Sequence, residues 1–580
     1  MQICEVETVL EPLGLEPPDL EILRPNEASY VCLLLQPCGP IVGGPLRIGS
    51  LDKETSAKKA AEFLRLASGR GAHLAVAPEY FFPWATLQDL LENGVKPSLN
   101  ALWVLGCESI RRDELAAFKV AVAAVCEVIY EPCDALPADR PLLDPAVLLF
   151  VAPRADGGTK TTALVQFKTH PSRDNLFLEE ALLKRGNAVY RFRGKTGPLS
   201  AAVIICSDAF AMPEEIVSVL IDRSTLIHIQ LNPNPRNSVY RKYRKTAFET
   251  DARTSDCHIV CLNWAGSLIQ HDENGGIEDW PAIAGSAWYC PEGGCTYDDA
   301  VVLPNHKLGL YYTYMEERRH ALLFHYNEAI FELRVPKVVT TGAAILANRN
   351  GPSAIRRYQW NSVTSEWVSA GQDADSGFQS LLQTNVDAQA ALAHALEVAS
   401  PLDLERLLAL LAGSITGTDT WFVAKEIDSC RIASDEVVRR ITVAQDNTAS
   451  AVDFRFDRLQ AAANIRHELN NRPQWPPQIE GVSTDARIEW NVGSKHFNIR
   501  CGDGRPALVS YLSEASPRVL ENVPDMLIDL LRRAGGPHQT RLCVLYRHFG
   551  ELKFASLASL TRFDDAMTDQ TDILAVNPDR

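Results

Sequence analysis

No apolar run in this chain approaches the ~20 residues that a membrane-spanning helix needs; stretches such as Ala146–Ala152 are far shorter. A basic start followed by an apolar core, the mark of a secretory signal, is also missing. The opening residues instead carry Glu5, Glu7, Glu11, Glu16, Asp19 and Glu21. A soluble, cytoplasmic protein without membrane association is therefore the expectation. Excess positive charge is lacking too. The net charge is −16, which argues against broad binding to nucleic acid or anionic membranes. The fourteen cysteines form no short-period framework, so they read as mostly buried thiols rather than disulfides. There is no short-period repeat, no G-x-S-x-G elbow and no H-E-x-x-H helix. Arg193-Gly194-Lys195-Thr196 looks like the end of a phosphate loop, but Val189 stands where that loop needs a glycine. His394, His467, His496, His538 and His548 show no ligand spacing.

What is present is an ordinary globular composition, 46% hydrophobic and 22% charged, spread over 580 residues. A single core rarely grows beyond ~250–300 residues, so two or more domains are expected. Residues 1–29 read as an acidic, proline-containing arm. From Tyr30 the pattern becomes regular. Tyr30–Gln36, His73–Ala77, Leu102–Gly106, Ala146–Ala152, Leu164–Lys168, Leu199–Cys206, Leu226–Leu231 and His258–Asn263 predict strands. Lys53–Ser68, Pro213–Ile221 and Tyr240–Ser255 predict helices. Alternation of this kind predicts an α/β layered fold over residues 30–337. Residues 338–377 have linker texture, with Asn348–Ser353 as a breaker cluster. Residues 378–580 predict a C-terminal mixed α+β domain, with helices near Phe378–Val398, Leu402–Leu411 and Ser450–Leu469. That domain bears no reactive cluster and suits regulation or binding of a protein partner.

Three strands end on reactive residues: Glu79 after Pro78, Lys168 after Phe167, and Cys206 after Ile205. Strand ends in α/β folds converge on one edge, where sites form. A thiol beside a cation is an activated nucleophile. A carboxylate can take its proton and return it to a leaving amine. A fixed ammonium stabilises the oxyanion of a tetrahedral intermediate. Each residue alone has a bland reading as a core thiol or a solvated strand end. Cys257, Cys261, Cys290 and Cys295 invite a zinc reading, but the first pair falls on or beside the strand His258–Asn263, where residues four apart share a face and usually face the core, so no metal is expected. Tyr297-Asp298-Asp299 reads as a turn.

In its motifs and their order, this region resembles the nitrilase, or carbon–nitrogen hydrolase, superfamily. Gln36, Pro78-Glu79, Phe167-Lys168-Thr169-His170 and Ile205-Cys206-Ser207-Asp208 carry the likeness. Phe248–Ala252, Asn263–Gly266 and Gly285-Ser286 continue it. The resemblance implies a four-layer α-β-β-α sandwich over about residues 30–335. It implies Glu79 as base, Lys168 as oxyanion aid, Cys206 as nucleophile and the backbone N–H of Ser207 in the oxyanion hole. It implies a second glutamate between lysine and cysteine, for which Glu179 and Glu180 are the candidates. It also implies pairing into a homodimer or larger homo-oligomer.

The activity expected is hydrolysis of a small-molecule amide, or more rarely a nitrile, through a Cys206 thioester, with no cofactor. Two alternatives stay open. One is an N-acyltransferase that passes the same thioester to an amine. The other is an inactive scaffold or sensor of this fold, in the manner of bacterial defence systems.

Overall fold

The computed structural model describes residues 1–25, 29–132, 140–173, 179–221, 224–232, 257–266, 268–272, 276–280, 286–290, 304–305, 308–315, 319–325, 327–337, 351–371, 382–399, 401–414, 423–424 and 449–557. The expected helix Tyr240–Ser255 and the segments Phe248–Ala252, Gly285, Cys295 and Tyr297–Asp299 lie outside them. The chain divides into two compact units, the first Met1–Ala374 with Ala424–Val437 and the second Asp375–Val423 with Val438–Arg580.

The apolar runs of the first unit become strands because β-branched and aromatic side chains fit a pleated surface buried on both faces. One sheet runs in the order Glu366–Ser369, Ser353–Asn361, Ala329–Val335, Tyr30–Gln36, Leu74–Phe82, Leu102–Cys107, Pro145–Pro153, Thr159–Phe167 and Cys126–Tyr130. The other includes, in order, Gln2–Glu5, Ala188–Arg193, Ser200–Ile205, Ser224–Ile229, His258–Leu262, Ala287–Cys290, Arg319–Phe324 and Leu310–Met315. Alternation sorts the first sheet's two faces. Leu33, Leu35, Ala75, Ala77, Trp103 and Leu105 share a core with Phe63, Leu64 and Ala67 of the helix Lys53–Gly69. On the opposite face, Phe150 meets Phe192 of the second sheet edge-on, ring centres 5.3 Å apart. The helix Glu214–Ile221 packs on Ser200–Ile205 and Ser224–Ile229. The first unit is thus the four-layer α-β-β-α sandwich expected.

Two segments depart from the expectation. Residues 1–29 are not simply an arm: Gln2–Glu5 pairs in parallel with Ala188–Arg193. Val6, Leu10, Leu20, Ile22 and Leu23 are buried, and Glu5 is an ion-pair partner of Arg191 and Arg193. The acidic residues had masked an apolar pattern. Within the expected linker, Ser353–Asn361 pairs with Ala329–Val335, and Glu366–Ser369 pairs with Ser353–Asn361 in turn. Buried Tyr358 and Trp367 anchor them to the sheet.

The second unit is mixed α and β as expected. Its sheet runs Arg487–Ile488, Ile499–Arg500, Pro506–Glu514, Leu542–His548, Glu551–Phe554. The helices Val386–Val398, Pro401–Leu411, Ala449–Asn471 and Pro517–Ala534 accompany it. It has its own core, with Leu392, Leu407, Leu408, Ile465, Leu508, Leu527 and Val544 fully buried.

Candidate active site

Glu79 sits on an irregularity of its strand. The pairing of Leu74–Phe82 with Leu102–Cys107 shifts register between Ala77 and Phe82, and Tyr80 has φ +60°. A bulge of this kind re-aims a side chain. The neighbouring strand accommodates it with Gly106, where a Cβ would lie 2.2 Å from the Pro78 carbonyl oxygen and 2.6 Å from Glu79 Cα. Gly106→Ala must therefore push the Glu79 backbone. A displacement near 1 Å at a catalytic group costs about 10²-fold in rate. We expect a loss of that order in turnover with the far-ultraviolet circular dichroism spectrum kept; unchanged turnover would show that Glu79 placement is not critical.

Lys168 follows the strand Thr159–Phe167, which pairs antiparallel with Pro145–Pro153, Phe167 opposite Pro145. That register sets the start of one strand beside the end of the other. Asp144 therefore faces Lys168, and the Lys168 N–H donates to the Asp144 carbonyl at 2.9 Å. The Lys168 ammonium lies 2.8 Å from Glu79 Oε1, 2.7 Å from Glu179 Oε2 and 3.4 Å from Asp144 Oδ2. All four side chains are buried. Of the two candidate second glutamates, Glu179 is the one in this cluster. Glu180 is half exposed and pairs with Arg173. Tyr80 Oη donates to Glu179 Oε1 at 2.8 Å, and the Ser172 N–H donates to Glu179 Oε2. Glu79 Oε2 accepts the Leu231 N–H, and its carbonyl accepts the Trp264 indole N–H.

Three carboxylates surround one ammonium, and burial disfavours every charge among them. Burial opposes the Lys168 charge, but Glu179, Glu79, Cys206 and Asp144 outweigh it and hold the ammonium well above the usual lysine range. Burial pushes the Glu79 carboxyl well up against the pull of Lys168, and Asp144 and Glu179 push the same way. Burial likewise raises Asp144, to about 6, against Lys168 and with Glu179. Glu79, Asp144 and Glu179 offer oxygens within 4.8 Å of one another, a spacing that suits a cation, and Lys168 already supplies one there.

A group whose folded pKa is raised costs stability as pH climbs from its unfolded value through the folded one. For Asp144 the window runs from 3.8 to about 6. Asp144→Asn should therefore gain stability relative to the native chain as pH rises through that window. Thermal unfolding at pH 4 and pH 8 checks this; a pH-independent difference would contradict it.

Cys206 ends the strand Ser200–Ile205 in a turn with φ +40°. For a residue with a Cβ, such a conformation costs about 1–3 kcal/mol and persists only when its surroundings enforce it. Cys206 is buried, 4% exposed as a residue, and lies within electrostatic reach of Lys168. Ser207 then begins a short helical turn, Asp208–Ala211. Among the described residues no acceptor takes the Ser207 N–H. Asp208 ties this turn to the lysine segment: its Oδ1 accepts Thr169 N–H, Thr169 Oγ1–H and His170 N–H at 2.7–2.9 Å. Burial lifts its carboxyl to about 7. Gln166 bridges the two sheets, donating to the Val203 carbonyl at 2.9 Å and accepting the Tyr190 N–H at 3.0 Å. It thereby fixes the Lys168 strand against the Cys206 strand.

The structure thus brings Glu79, Lys168, Glu179 and Cys206 together, with Ser207 adjacent. Gln36 stands apart, donating to the His325 and Asn327 carbonyls. Asp144, Gln166 and Asp208 were not anticipated as site residues. Of the zinc quartet, Cys257, Cys261 and Cys290 are buried thiols, and Cys295 lies outside the described residues.

Facing mixed sheets with outer helices make the first unit similar in fold to proteins of the nitrilase, or carbon–nitrogen hydrolase, superfamily. No protein-family model matches the chain, and no curated protein does. Solved structures similar to it include a glutamine-dependent NAD+ synthetase from Acinetobacter baumannii, 15% identical with a TM-score of 0.30 over 54% of this chain. The match spans 48% of the synthetase, about half its length. An amidase of the nitrilase superfamily from Nesterenkonia is 13% identical, TM-score 0.27, over 46% of this chain and 84% of the amidase. A CN-hydrolase superfamily protein from Xanthomonas campestris is 12% identical, TM-score 0.26, over 45% of this chain and 82% of its own.

Proposed function

We propose that the first unit cleaves a non-peptide carbon–nitrogen bond, an amide in preference to a nitrile, through a thioester on Cys206. The observation that carries this reading is the buried cluster of Glu79, Lys168 and Glu179 beside the strained Cys206 turn. Glu79 takes the thiol proton, and Cys206 Sγ attacks the carbonyl carbon. The oxygen of the tetrahedral intermediate gains charge against the Lys168 ammonium and the Ser207 N–H. Glu79 then gives its proton to the departing amine as the C–N bond breaks. Water, deprotonated by Glu79, hydrolyses the thioester. A carboxyl raised by burial suits a base that must also release its proton. Each oxyanion donor of this type contributes about 2.7–4 kcal/mol to transition-state stabilisation. A scaffold without chemistry would have no use for a buried cluster that costs desolvation to maintain.

Labelling tests it. Burial pushes the thiols of Cys32, Cys107, Cys126, Cys290 and Cys543 up, and those of Cys4, Cys38 and Cys501 are raised as well. Cys206 lies within electrostatic reach of the buried Lys168 ammonium, whereas Cys38, beside the buried Lys59, stays raised through burial and Glu328. Iodoacetamide should therefore modify Cys206 before the other thirteen cysteines, as mapped by mass spectrometry. Faster modification elsewhere, with Cys206 inert in the folded chain, would remove the basis for the proposal.

A further inference from the structure

The strand beside the nucleophile, Ser224–Ile229, grips Cys206 at both ends of its backbone. The Cys206 N–H donates to the Ile229 carbonyl at 2.8 Å. The Cys206 carbonyl lies 2.9 Å from His228 Nε2. His228 is fully buried, and the Gln230 side-chain amide nitrogen lies against its ring, 2.9 Å from Nδ1 and 3.1 Å from Nε2. A carbonyl oxygen only accepts and an amide nitrogen only donates. His228 Nε2–H therefore donates to the Cys206 carbonyl. Cys261 Sγ, at 3.9 Å from Nδ1, completes the pocket. An imidazole amid a run of apolar strand residues is not needed to fill the core, since an aliphatic residue would do so without a polar edge to satisfy.

We propose that His228 is a positioning residue for the oxyanion hole: through the Cys206 carbonyl it fixes the peptide between Cys206 and Ser207. The C=O and N–H of a trans peptide point in opposite directions across one plane. Holding the oxygen toward His228 therefore turns the Ser207 N–H the other way, and no acceptor among the described residues claims it. The same hold stabilises the positive φ of Cys206, which the chain would otherwise relax. Gln230 acts one step further out by holding the ring in place with its amide. The inference rests on Cys206 being the acyl-accepting nucleophile.

The test separates two reactions of one thiol. Acetylation by p-nitrophenyl acetate forms the Cys206 S–C bond, passes through a tetrahedral oxyanion and expels p-nitrophenolate. Alkylation by iodoacetamide displaces iodide at a saturated carbon and forms no oxyanion. In full-length His228→Leu, acetylation of Cys206 should fall about 10²-fold, while iodoacetamide alkylation stays within a factor of about three of the native chain, far short of that loss. His228→Gln, which can again present an N–H to the carbonyl, should recover much of the acetylation rate. If the leucine variant does not fold, Gln230→Leu keeps the ring, removes the amide that rests against it and should show the same split to a smaller degree. Equal loss in both reactions would mean that His228 merely supports the fold and would overturn the inference. Native acetylation rates in the variants would overturn it as well. A native chain that alkylates but is never acetylated at Cys206 would instead defeat the hydrolase reading on which it rests.

Discussion

Replacing Lys168 with methionine is expected to destabilise the first unit by about 3–5 kcal/mol near neutral pH. The size follows from what the change leaves behind. Glu79, Asp144 and Glu179 would stay buried with no cation among them, and a charge stripped of its partner inside a protein costs far more than the pair contributed. Glu79 and Asp144, whose folded pKa values are already raised, would answer by holding protons, and those values would rise further. For carboxyls raised in this way, stability is fully present below the unfolded value near 4 and is lost as pH climbs. The penalty of Lys168→Met should therefore be largest at pH 8 and shrink toward pH 5. The native chain narrows the gap from the other side, because in acid its buried ammonium loses its ionised partners. Urea unfolding at both pH values measures the difference. A penalty under about 1 kcal/mol, or one that does not change with pH, would mean the cluster is solvated and not the closed ionic site described.

The parts of this site that could be read from sequence are those that close an apolar run. Lys168 and Cys206 directly follow the last residue of a strand, whereas Glu79 closes its apolar run at an irregularity inside the strand Leu74–Phe82. Asp144 was not legible because it opens a strand. It meets Lys168 only through the antiparallel register that sets Pro145 opposite Phe167, and register is a long-range property. Glu179 and Glu180 could not be separated because they are adjacent on a helix of four residues, Glu179–Leu182, too short to show a periodicity. His228 reads as one position inside an apolar strand, and its role depends on a neighbouring strand's carbonyl. The strands at 353–369 were hidden by asparagine, serine and glutamine on their exposed faces. The helix Pro517–Ala534 was missed because Pro524 falls inside it, where a proline ordinarily signals a break. The layered fold itself was plain, since alternation of apolar strands and amphipathic helices is written locally.

Glu79→Gln carries the second large effect. The side chains are nearly the same shape, so the change tests proton transfer with little disturbance of volume. Glutamine cannot take the Cys206 proton or return one to a leaving amine, and general acid–base work of this kind contributes roughly 10²–10⁴ in rate. The surroundings add a second cost. Glu79 accepts on both oxygens, Oε1 from Lys168 and Oε2 from the Leu231 N–H. An amide has one accepting end, so whichever way the new side chain lies it turns an N–H₂ group toward a donor. The buried ammonium also loses one of its compensating charges, which leaves it with Glu179 and Asp144. We expect turnover of a simple amide to fall by at least about 10²-fold with the fold retained. We also expect the limb of the pH–rate profile that belongs to the Glu79 carboxyl, raised by burial, to disappear. That limb separates a lost base from a merely disturbed site, because a disturbed site lowers the whole profile and leaves its shape alone. A folded Glu79→Gln chain that keeps more than about a tenth of native turnover, well above the range for a lost general base, would take Glu79 out of the mechanism and pass the thiol proton to Asp144 or Glu179.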